Sequence, residues 1–280
     1  MSTDHAPVRP PDDRHPTAGE HLRALRVRRV ALRLIYGVLA VWTLLMAQGV
    51  VLLAAGQSLA GWHFMFATST VFKLLSLAAV VPLTWTAGRS VGAARWLALG
   101  VLSWLIAEAL TGQLRPLESV SMVVVWLGPW LALAPERRRL LTRAPRPGSP
   151  MPVAVSTVAV VLCAVWAVRN AALTPTTFPP AFGVQDAVND LRLDMAGLAV
   201  VLGLAAIAVG LSWPRAAAPT VVTGLAAAAT GLAALVRPND LGSPGLIGGI
   251  VLIAGSLVML GWVSYDNAGR RRRQHVPTSI

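Results

Sequence analysis

Residues 34–61 carry no charged side chain, and nothing else in this chain restricts its fold as severely. A helix crossing about 30 Å of hydrocarbon needs roughly 20 residues at 1.5 Å of rise each. Residues 34–55 meet that length on their own, and further apolar runs follow along the chain. One soluble core could not use so many of them: the 280 residues are 55% hydrophobic and only 13% charged, with a mean hydropathy of +0.62. The expectation is an all-α fold, a polytopic membrane helix bundle of eight transmembrane helices. The first apolar run is longer than the 7–15 residues of a signal-peptide core, so it is read as a retained span.

The spans are expected at 34–55, 64–86, 95–112, 119–134, 152–168, 195–213, 216–236 and 246–263. They define a basic cytoplasmic segment (1–33), a four-span N-terminal half (34–135), a basic linker (136–151), a four-span C-terminal half (152–265) and a basic tail (266–280). Residues 1–19 hold four prolines and almost nothing apolar, a composition that cannot offset the entropy of ordering. Arg23, Arg26, Arg28, Arg29 and Arg33 then lead into span one as a basic juxtamembrane helix suited to anionic lipid headgroups.

Arginine placement fixes the orientation of this arrangement. Nineteen of the arginines fall on the side holding both termini, and only Arg115, Arg169, Arg192 and Arg237 fall on the other. Cytoplasmic loops carry the basic excess, so a plasma-membrane protein with both termini in the cytoplasm is expected. The formal charge of +12 follows these span ends rather than an aromatic-interleaved basic domain, which excludes nucleic acid as a partner. The lipid bilayer, and a membrane-protein partner or second copy, remain as partners.

Two ionisable residues interrupt the apolar runs: Lys73 in span two and Glu108 in span three. An ionisable group at depth costs about 2.5–3.5 kcal/mol on insertion scales, so each needs compensation. Ser69, Lys73 and Ser76 share one helical face, and Gly100, Trp104, Glu108 and Thr111 make a similar stripe. Facing one another, the stripes would line a cavity, with Lys73 snorkelling outward to meet Glu108. His63 sits beside Trp62 and Phe64 as part of an interfacial aromatic belt, near enough to be a ligand or relay. Asp186, Asp190 and Asp194 recur every fourth residue and are read as a solvated helical face rather than a divalent-cation site. The step from Gly245 to Gly249 is expected to allow close helix packing.

No metal or cofactor is implied. The single cysteine, Cys163, has no partner for a CxxC pair, and the histidines lack metal-ligand spacing. No phosphate-binding loop, GxSxG or HExxH motif is present. The pattern of buried polar groups points to a permease-like or transporter component. A membrane-embedded scaffold or assembly protein is the alternative, as is an enzyme acting on a lipid-linked substrate at the outer leaflet through Glu108, with His63, Arg115 and Glu118 nearby.

Overall fold

The computed structural model describes residues 18–55, 63–139, 150–173, 185–210 and 217–274. The expected disordered tail over 1–17, most of the linker (140–149), the segments 56–62, 174–184 and 211–216, and the last six residues lie outside the described residues. Among the described residues the chain is all-helical, without strands. Its helices are α1 (Ala18–Ala55), α2 (His63–Trp85), α3 (Val91–Thr111), α4 (Pro116–Leu133), α5 (Pro150–Ala171), α6 (Gln185–Gly210), α7 (Ala217–Val236) and α8 (Gly245–Gln274). Five of them, α1 to α4 and α6, are long and apolar enough to cross a membrane. The apolar stretches of α5, α7 and α8 are shorter, at Ser156–Ala171, Val221–Val236 and Gly245–Gly261.

Large apolar side chains cover much of the outside of the bundle. Val38, Val41, Leu44 and Leu45 on α1, and Val158, Val161, Val165 and Val168 on α5, are all exposed. Soluble monomers rarely expose contiguous apolar area of this kind, whereas a bilayer requires it. Hydroxyl side chains in the helices return their hydrogen bonds to the preceding turn, as Thr68 does to Phe64 O (2.9 Å) and Thr230 to Ala226 O (2.8 Å). No polar group is thereby left facing hydrocarbon at these positions.

Successive helices alternate in direction. The starts of α2, α4 and α6 and the turn from α7 to α8 meet at one end, where Phe64 N–H donates to Asp240 and Arg115 to Asp190. At the other end, the turn from α2 to α3 needs left-handed backbone at Ala87 (φ 53°) and Gly88 (φ 78°). A Cβ at Gly88 would lie 2.6 Å from Leu32, so α1 can approach this closely only because position 88 is glycine. Trp130 of α4 closes the same corner by donating its indole N–H to Gly88 O at 2.8 Å. Ser90 then caps α3, accepting from Ala93 N–H.

Helix α4 widens into a π-helical turn over Val123–Leu127, where Gly128 N–H reaches back to Val123 O. Pro129, which lacks an N–H and would crowd the carbonyl four residues earlier in a regular helix, sits just beyond the widened turn. Tyr36 of α1 donates to the Trp126 carbonyl within that turn at 3.1 Å.

Helix α6 is the axis of the bundle. Every residue from Leu191 to Ala199 is buried, and the helix packs against α2, α3 and α5. Since α2 also packs on α7, residues from the first four and the last four helices share one core.

Helices α7 and α8 form a close hairpin. A Cβ added at Gly231 would lie 2.8 Å from Gly249 O, and one added at Gly249 would lie 2.9 Å from Gly231 O. Gly249 therefore serves the expected close packing, whereas Gly245 (φ 76°) turns the chain into α8. Gly231→Val should force the two backbones apart and destabilise the protein by about 2 kcal/mol, seen as earlier thermal unfolding in detergent. Gly255→Val, where a Cβ meets nothing within 4 Å, should leave the transition in place.

Candidate functional site

Lys73 and Asp194 form an ion pair between α2 and α6, Lys73 Nζ donating to Asp194 Oδ2. Ser69, one turn before Lys73, donates its hydroxyl to the same oxygen. The Asp194 side chain is 2% exposed and that of Lys73 23%, so the carboxylate is held in the core while the ammonium borders open space. Burial of an unpaired carboxylate would be prohibitive, and here a cation and a hydroxyl together compensate it.

This pairing corrects the expected partnership of Lys73 with Glu108, and helix depth explains why. Lys73 is ten residues into α2 and Asp194 nine residues into α6, and both helices start at the same end of the bundle. At 1.5 Å per residue both lie roughly 14 Å deep. Glu108 is three residues from the end of α3, only about 5 Å deep, a gap too large for Lys73 to close alongside a nearer carboxylate. Glu108 is fully buried and takes a bond from Trp104 Nε1 at 3.0 Å and another from the Ser119 hydroxyl of α4.

Asp194 also departs from the solvated aspartate face. That reading holds at Asp190, which is exposed, but α6 is embedded by the next turn and Asp194 is 1% exposed. The Asp186 side chain lies outside the described residues. Among the described residues no group of three or more His, Cys, Asp or Glu side chains is arranged to hold a metal.

A cavity of about 350 Å³ opens beside the pair. Its walls include Lys73 and Ser76 from α2, Gly100 and Trp104 from α3, and Asp190 and Asp194 from α6. The two expected polar stripes thus contribute to one cavity, although Ser69 serves Asp194 and Glu108 serves the α3–α4 contact. Trp42, Phe72, Trp96 and Trp126 supply aromatic surface. Phe72 stacks on Trp104 with centroids 6.3 Å apart and planes 10° from parallel. A Cβ at Gly197 would meet the Phe72 ring at 2.7 Å, so glycine on α6 makes room for that stack.

Arg115, Glu118 and Asp190 form a charged cluster on the cavity wall toward the Asp240 end. Arg115 Nη1 donates to Glu118 Oε2 at 3.2 Å and to Asp190 Oδ1 at 3.3 Å. The hydrogen bond to Glu118, with the charges of Glu118 and Asp190, raises the Arg115 pKa and keeps the guanidinium protonated. His63 is exposed at the first residue of α2 and does not line this cavity. The structure therefore gathers Arg115 and Glu118 as the outer-leaflet enzyme reading required, but leaves out His63 and turns Glu108 toward α4.

Asp194 was the residue that sequence reasoning undervalued. Its signal is its position: it is the last charge before the uncharged stretch of α6, at a depth matching Lys73. Comparison with protein-family models, curated proteins and solved structures gives no match, so the cavity itself carries the functional argument.

If the Lys73–Asp194 pair supports the fold, Lys73→Met should strand the carboxylate and cost about 3 kcal/mol. Lys73→Met combined with Asp194→Leu should recover most of that loss, and a thermal-unfolding double-mutant cycle in detergent measures the coupling.

Proposed function

We propose that this chain is an eight-span plasma-membrane protein with both termini in the cytoplasm, and that it acts as a permease-like component binding a small solute between α1, α2, α3, α4 and α6. The observation carrying this reading is the cavity bordered by the Lys73–Asp194 pair. Ionisable residues within membrane spans characteristically mark solute or ion pathways, and the Lys73 end of this pair borders open volume while Asp194 lies behind it. A purely structural ion pair would be expected in a dry, filled interface.

The π-helical turn of α4 supports the same reading. It brings Trp126 to the cavity and places an irregular helical turn beside it, as π-turns frequently do at functional sites. The basic segment at the start of α1, with Arg23, Arg26 and Arg33 exposed, suits contact with anionic headgroups on the cytoplasmic side.

The test is thiol accessibility in intact cells. In a Cys163→Ala background, Ser76→Cys places a thiol on the cavity wall while leaving Lys73 and Asp194 in place. A membrane-impermeant maleimide should label position 76 from outside, with Leu114→Cys, at an exposed position beyond the end of α3, as the outside control and Ser149→Cys labelled only after permeabilisation. No labelling at 76 with both controls correct would mean a closed interior and favour a scaffold role.

A further inference from the structure

The charge balance of the cavity says more than its presence does. Lys73 and Arg115 bring two positive charges to its walls, whereas Asp190, Asp194 and Glu118 bring three negative ones. Within the wall, Lys73 is committed to Asp194 and Arg115 is shared between Glu118 and Asp190. Asp194 Oδ1 is buried and has no hydrogen-bond partner among the described residues. A buried acceptor left unpaired is unfavourable, and an N–H donor on a bound molecule would satisfy it.

The rest of the wall is aromatic. Trp42, Phe72, Trp96, Trp104 and Trp126 surround the same volume, and aromatic faces attract cations through their quadrupole while accepting apolar groups. Excess carboxylate, an unpaired buried acceptor and aromatic walls all select the same ligand chemistry. Anions would meet the surplus of carboxylates, and a neutral solute would leave the surplus charge uncompensated.

We infer that the cavity binds an amphipathic organic cation, a protonated amine or guanidinium attached to an aromatic or branched apolar body. Its cationic head sits by Asp194 and the Glu118–Asp190 cluster, and its apolar body lies against the tryptophans. At about 350 Å³ the cavity is at the small end of ligand pockets and fits a compact molecule. This inference rests on reading the cavity as a solute site, and its test separates the two.

The full-length protein in lipid nanodiscs is titrated by calorimetry with three probes of similar shape: phenethylammonium, neutral phenethyl alcohol and anionic 3-phenylpropionate. Phenethylammonium should bind, and the other two should bind at least tenfold more weakly. The double variant Glu118→Gln/Asp190→Asn, at half-exposed positions that folding tolerates, should weaken the cation about fivefold, more so at low salt. Trp126→Leu should weaken it roughly tenfold, by removing one aromatic face packed against the apolar body. Asp194→Asn should abolish cation binding in protein that keeps its wild-type helical content.

Equal or tighter binding of the alcohol or the carboxylate overturns the cation class while leaving the cavity as a solute site. Cation binding indifferent to both the double variant and Trp126→Leu places the ligand elsewhere and overturns the inference. Absence of binding by all three probes overturns the inference together with the solute-site reading.

Discussion

The Lys73–Asp194 pair is the constraint on which the rest of the bundle depends. An apolar interior tolerates a buried carboxylate only when a cation and further donors accompany it, and here Lys73 and Ser69 both come from one face of α2. That requirement fixes the register of α2 against α6. Because α6 also packs against α3 and α5, fixing this one contact positions much of the bundle. Glycines then set how closely the helices approach: Gly88 admits Leu32, Gly197 admits Phe72, and Gly231 meets Gly249. The cavity lies where large aromatic side chains and the charged pair prevent the helices from closing completely.

The geometry also divides the chain by charge. Alternating helix direction brings Glu108, Glu118, Asp190, Asp194 and Asp240 toward one end, beside Arg115, Arg169, Arg192 and Arg237, while the arginines at the start of α1 and Arg137 to Arg139 after α4 lie toward the other. The cavity reaches toward the acidic end through Arg115, Glu118 and Asp190. A cation approaching from that side would meet a surplus of carboxylates before it reached Asp194, an arrangement that favours entry of positive charge over negative.

Much of the fold was legible in the sequence because a bilayer imposes a length and composition that local residues must satisfy alone. The uncharged run through α1 and the polar faces of α2 and α3 needed no tertiary information. Partner choice was a different problem. Lys73 and Glu108 stood out because each interrupts an apolar run, and neighbouring spans made them natural partners. Asp194 was hidden because it ends a periodic aspartate series that looks solvated, and only the start of α6 at Gln185 puts it deep in the bundle. Span boundaries are where hydropathy is least informative, and a shift of one helical turn decided whether this carboxylate faced water or lysine. The π-turn at Val123–Leu127 was likewise beyond periodicity, although Gly128-Pro129 marks where a regular helix would be under strain.

Lys73 is the sole lysine of the chain, which gives the central claim a single-site probe. Protein labelled with ¹⁵N at lysine Nζ and ¹³C at aspartate and glutamate carboxyls can be reconstituted in bilayers for solid-state NMR. The account predicts one ammonium resonance with a strong dipolar coupling to an aspartate carboxyl, absent in Asp194→Asn and retained in Glu108→Gln. Coupling to a glutamate carboxyl that disappears in Glu108→Gln, or an ammonium coupled to neither, would contradict it.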